Sequence, residues 1–169
     1  MNIHPIFVHF PVALLTIYAI LEILHFKKLN TTTFIQIKTA FLLIGSISLF
    51  SALSTGELAA ESGKGIQHIV QTHELYAKLT TAIFGLLSIN YFVLLVNEFF
   101  TNRPIPFGLK NIWTSILSLR AKIYHAPVLV LLAIIGLIVL TITGSLGGYM
   151  VYGAGNDFIT DAVVNLILK

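Results

Sequence analysis

Cysteine is absent from this chain of 169 residues. That excludes disulfides, thiolate metal sites, iron–sulfur clusters and covalent c-type haem attachment, and it leaves the redox compartment undetermined. Charge is scarce as well. Asp, Glu, Lys and Arg together make up 10% of the residues, against about 25% in a soluble domain. Hydrophobic residues account for 56%, and mean hydropathy is +0.90. A soluble core does not use that many, so the class is an integral membrane protein. No catalytic triad, Walker loop or dinucleotide fingerprint is present. The glycine-rich stretches adjoin apolar runs and not strands. No basic–aromatic interleaving points to nucleic acid. The N-terminus has neither a basic n-region nor a small-residue cleavage site after Ile6–Leu24, so this run reads as a retained span.

Four segments reach the length of about 20 apolar residues that a span needs. They are 6–26, 34–53, 75–96 and 127–151, the last being the most apolar. Pro127 suits a helix first turn, where a missing N–H costs nothing. The expected fold is all-α, one domain over 1–169, with four transmembrane helices in a bundle and short interfacial helices. One such helix is expected in "LKNIWTSILSLRAKIYH", where Ile112, Trp113, Ile116, Leu119 and Ile123 oppose Lys110, Arg120 and Lys122. A second, or a subunit contact, is expected in the tail, where Phe158, Ala162, Val163, Leu166 and Ile167 share a face. No internal repeat or linker is present.

Four spans put both termini on one side. That side also holds the 54–74 loop, three basic residues (Lys64, Lys78, Lys169) and five acids. The other side holds seven basic residues: Lys27, Lys28, Lys38, Arg103, Lys110, Arg120 and Lys122, against Glu22 and Glu98. The positive-inside rule makes that side cytoplasmic. Both termini are then non-cytoplasmic, in a multi-pass protein of a bacterial inner membrane.

The histidines gather at the two ends of the bundle. His4, His9, His68 and His73 fall on the non-cytoplasmic side, and His25 and His125 on the other. Haem b asks for two axial ligands on opposed helices, no cysteine and an apolar slot. His9 on the first helix and His73 on the third meet the ligand and depth requirements. Gly45, Ser48, Ala52 and Gly56, with Gly144, Gly147 and Gly148, offer small residues for the slot. Glu57 and Glu61 stand four apart, on one helical face. With His73 they suit a divalent metal, or they supply acceptors for a ligand histidine. His68 and His73, five apart, lie about 140° apart on a helix and do not converge. His25 and His125 outline a second bis-histidine site. His9 and His25 are separated by about 24 Å of helix rise. For each of these histidines the competing reading is an interfacial side chain with its tip among the headgroups. For Glu57 and Glu61 it is a solvated loop.

Three stretches, "HPIFVHFPVALL", "STGELAAE…HELYAKL" and "GSLGGYMVYGAG", follow one another along nearly the whole chain. Together they resemble a bacterial family of four-span membrane proteins, the domain-of-unknown-function family 2231. The resemblance rests on His4, Pro5, His9, Pro11, Gly56, His73, Gly147, Gly148, Val151, Tyr152 and Gly155. His25 and His125 lie outside the shared pattern. Some relatives are fused to cytochrome c-like domains, which implies a redox setting.

The reading that joins these observations is a cytochrome b-like subunit, an electron-transfer component more than a stand-alone enzyme. Haem b sits between His9 and His73, with His4, Gly56 and Gly148 close by. Electrons pass between a periplasmic partner and quinone or another subunit, in a homo- or hetero-oligomer. Two other readings stay open. One is a metal-binding or transport protein using His4, His9, His68, His73, Glu57 and Glu61 without porphyrin. The other is a structural or assembly subunit of a larger membrane complex.

Overall fold

The computed structural model describes residues 4–24, 32–62, 67–101, 103, 105, 107–155 and 157–168. Side chains are described from Val8 onward, except at 57–62 and at Phe107. Among these residues there are six helices and no strand: α1 (His4–Ile23), α2 (Thr32–Ser62), α3 (Gln67–Thr101), α4 (Phe107–Ile123), α5 (Ala126–Tyr152) and α6 (Phe158–Ile167).

Local chemistry sets several of the helix ends. His125 adopts an extended conformation ahead of α5, and Pro127 occupies its first turn, as the sequence predicts. Gly153 ends α5 at φ 79°, a left-handed conformation that a Cβ would penalise. Asp157 caps α6, accepting from the Thr160 N–H at 2.8 Å. Asp161 accepts from the Gly155 N–H at 3.0 Å and so fixes the turn between α5 and α6.

α2 and α3 run well past the predicted spans. The stretch expected as a loop, 54–74, is helical apart from residues 63–66, which lie outside the described set. Hydropathy falls there, but Glu57, Leu58, Ala59, Ala60 and Glu61 are strong helix formers, and propensity carries the helix past Gly56. At 35 residues, α3 is about 52 Å long, beyond the ~30 Å hydrocarbon layer.

α1, α2, α3 and α5 pack in ring order, α5 returning to α1. Their inward stripes follow helical spacing: Leu15, Tyr18 and Glu22; Lys38, Leu42, Leu49 and Ala52; Thr80, Phe84, Leu87 and Tyr91; Leu129, Ala133 and Leu140. Small residues on α2 and α5 receive large ones from α1 and α3. A Cβ at Gly45 would meet Leu15 Cδ2 at 2.7 Å, and one at Gly136 would meet Phe84 Cζ at 3.1 Å. The outer faces are apolar too, with Ile17, Ile47, Phe50, Ile89, Phe92, Leu131 and Ile138 exposed. Helices apolar all round belong in lipid. Three are long and apolar enough to cross a membrane: Thr32–Gly56, Gln67–Thr101 and Ala126–Tyr152. The described apolar part of α1, Val8–Ile23, is shorter.

Candidate functional site

The strongest polar feature of the interior lies toward the end of the bundle that carries the α1–α2 and α3–α5 connections. Glu22, in the last turn of α1, is 2% exposed. Lys38, two turns into α2, donates to its Oε2 at 2.9 Å. The Tyr91 hydroxyl, from α3, donates to the same oxygen. The ammonium also lies 5.5 Å from the Phe34 ring centroid and 5.6 Å from that of Tyr91, within cation–π range. Tyr18 stands one turn before Glu22 on the same face of α1. Its ring meets Tyr91 edge-on at 5.7 Å. Its hydroxyl is buried without a hydrogen-bond partner among the described residues.

Two charges in an apolar interior are costly unless they meet with good geometry. Here each has one opposite charge, and Glu22 gains a second donor. Intramembrane ionisable residues of this sort mark functional sites by default. Sequence reasoning assigned Glu22 and Lys38 to opposing totals of surface charge and did not pair them. The available signal was that each stands inside an apolar run, at a depth where the other is its natural partner.

Asn90, next to Tyr91, is fully buried. Its Oδ1 accepts from Arg120 Nε of α4 at 2.9 Å. This is the interhelical partnership that an asparagine inside an apolar helix calls for.

The histidine end lies about 27 Å away along α3, from His73 to Tyr91. His73 is half-buried against α5. Its ring occupies the space that Gly147 leaves, since a Cβ there would stand 3.3 Å from His73 Cε1. Nδ1 lies 3.1 Å from the Thr143 carbonyl oxygen. A carbonyl only accepts, so Nδ1 carries the proton in this contact.

The other predicted residues do not gather around it. His9 is exposed, about 120° around α1 from Leu15. His68 is exposed and bonded to Thr72 at 3.2 Å. His125 precedes α5 and is exposed. Gly56 is a half-buried position of α2. The side chains of His4, Glu57 and Glu61, and all of His25, lie outside the described residues. Glu74 pairs with Lys78 at 2.5 Å on the surface of α3. Among the described residues no three His, Asp or Glu side chains stand together as a metal site.

Part of the room expected for a macrocycle is taken by the chain itself. Leu15 takes the space at Gly45 and His73 that at Gly147, while a Cβ at Gly148 would stand 3.8 Å from Thr160 Oγ1. One groove of about 280 Å³ lies between α1, α5 and α6, lined by Val12, Thr16, Leu140, Gly144 and Thr160 among others. It is smaller than the ~300 Å³ from which ligand sites begin, and neither His9 nor His73 lines it.

Between the two ends lies a layer of Leu15, Leu42, Phe84, Leu87 and Leu140, each 3% exposed or less. Side-chain hydrogen bonds tie the helices on either side of it, Ser88 to Ser46 at 2.8 Å and Thr80 to Thr143 at 3.0 Å.

A family model described as a predicted membrane protein, DUF2231, matches residues 1–157. Comparison with curated proteins and with solved structures finds no match.

Proposed function

The chain belongs to the DUF2231 family of membrane proteins, and from that premise we propose that it is a proton-exchanging subunit of a bacterial inner membrane, with Glu22 as the exchanging group. It crosses the bilayer four times, on α1, α2, α3 and α5, with both termini on the periplasmic side and the Glu22 end toward the cytoplasm. The excess of lysine and arginine at that end supports this orientation.

The observation that carries the reading is one carboxylate held by an ammonium and a phenol in an apolar interior. With Glu22 ionised, the pair is neutral. Adding a proton to Glu22 leaves Lys38 as an unpaired cation in low dielectric, which is strongly unfavourable. Lys38 is six residues from the start of α2, about 9 Å of rise. Its flexible stem lets the ammonium leave toward the aqueous end. Protonation thereby shifts the packing of α1 against α2. The Tyr91 hydroxyl holds the carboxylate in place, and Tyr18 keeps a second hydroxyl beside it.

Infrared difference spectroscopy of the reconstituted protein tests this. A buried carboxylic acid C=O band should grow on acidification and vanish in Glu22→Gln. If the wild type shows no such band on acidification, the reading fails.

The Nδ1–H contact of His73 favours a second reading, the redox one. A histidine whose Nδ1–H is held by a carbonyl presents Nε2 as metal ligands do. On this reading His73 serves haem b or a divalent metal with His9 or His4, and the chain passes electrons between a periplasmic partner and quinone. A reduced-minus-oxidised visible spectrum of purified protein, together with metal analysis, decides it. A sharp α-band supports haem, a stoichiometric metal without Soret absorption supports the non-haem form, and neither signal sinks both.

A further inference from the structure

α4 presents three faces. One leans on α3. The Trp113 indole N–H donates to Asn97 Oδ1 at 3.3 Å, and its ring meets Phe100 edge-on at 6.0 Å. Arg120 donates to Asn90, and the Tyr124 hydroxyl, just past the helix, donates to the Leu86 carbonyl at 3.0 Å. The second face is an apolar stripe of Leu109, Ile112, Ile116, Leu119 and Ile123. Even its least exposed member, Ile116, is 38% accessible. The third is polar, with Lys110, Asn111, Thr114, Ser118 and Lys122.

α4 contains no acidic residue. Arg103, Lys110, Arg120 and Lys122 surround the junction, and among the described residues none of them pairs with a carboxylate. Arg120 stands out. Asn90 pins its Nε, so the guanidinium is oriented, and its two terminal nitrogens have no acceptor among the described residues. Burial against α3 pulls its pKa below the ordinary arginine value, as expected for a cation short of counter-charge. Beside it, the exposed Ile89, Phe92 and Phe99 continue along α3 as an apolar track.

We propose that the α3–α4 junction binds an anionic phospholipid, the Arg120 guanidinium taking the headgroup phosphate and the acyl chains running along α3. Charge complementarity selects the headgroup, and an arginine with a fixed Nε suits a bidentate phosphate contact. A tethered amphipathic helix with an open apolar stripe suits an amphiphile lying at the interface. Lys110 and Lys122 add attraction to an anionic surface without fixing position.

The only tryptophan of the chain is Trp113, so intrinsic fluorescence reads this junction alone. The wild-type protein is reconstituted in nanodiscs of phosphatidylcholine containing a fixed fraction of dibrominated phosphatidylglycerol or of dibrominated phosphatidylcholine. Brominated phosphatidylglycerol should quench Trp113 as though enriched about fivefold, the factor expected for one cation engaged at a lipid surface. Arg120→Gln should remove most of the difference between the two lipids, leaving the weaker attraction of Lys110 and Lys122, and Arg120→Lys should restore part of it. Raising salt in the wild type should reduce the enrichment without any substitution. Equal quenching by the two lipids in the wild type would overturn the proposal. So would an enrichment that survives Arg120→Gln unchanged.

Discussion

Glu22 and Lys38 are each other's only charge partner among the described residues, joined at 2.9 Å between α1 and α2 and almost wholly shielded from solvent. Removing one member of such a pair strands the other. Glu22→Gln and Lys38→Met should each destabilise the protein by about 3–5 kcal/mol, while the double change should cost far less than the sum. Unfolding in mild detergent, followed by helicity, measures the cycle. Additive losses would mean that the two groups do not depend on each other.

Gly45 faces Leu15 so closely that a Cβ would meet Leu15 Cδ2 at 2.7 Å. Gly45→Val should therefore separate α1 from α2 and cost about 1–3 kcal/mol. Leu15→Ala in the same chain should recover part of the loss by returning space. Gly144 has open space around it, and Gly144→Ala serves as the control, with little effect expected.

Asp157 gives a pH prediction. Hydrogen bonds from Thr160 hold its carboxyl below the ordinary aspartate value. A depressed carboxyl stabilises the fold above its unfolded pKa, and that contribution fades as pH falls through the folded one. α6 should stay capped at neutral pH and loosen only below about pH 4. Hydrogen exchange over 158–167 checks this, and Asp157→Asn should flatten the dependence.

The absence of cysteine makes topology direct to measure. Ser115→Cys on α4 and Ala154→Cys after α5 both fall at exposed positions. In intact cells a membrane-impermeant maleimide should label position 154 and spare position 115. The reverse pattern would invert the orientation given by the basic residues.

Much of the architecture is legible in the chain. Apolar runs placed α2, α3 and α5, Pro127 placed the start of α5, and the mixed pattern around Trp113 placed α4. Hydropathy ended α2 too early, because helix propensity outlasts apolarity at Glu57–Glu61, and it began α3 at Leu75 where the helix starts at Gln67. The site was harder to see. Whether His9 faces in or out depends on the phase of α1 relative to its neighbours. The buried residues of α1, Leu15, Tyr18 and Glu22 among them, set that phase. Gly45 and Gly147 read equally well as room for a ligand or for a side chain until Leu15 and His73 are seen beside them. Glu22 and Lys38 carried a clear signal as opposite charges inside apolar helices, but counting charge by side conceals a pair that meets between helices.

The layer of Leu15, Leu42, Phe84, Leu87 and Leu140 has a consequence for the cell that hosts the protein. Its five side chains are hydrocarbon throughout, and the polar atoms described beside them, the Ser46 and Ser88 hydroxyls, are bonded to each other. On the proposed reading the layer therefore sets Glu22 apart from the far face of the membrane, and the carboxylate answers to the acidity of one compartment.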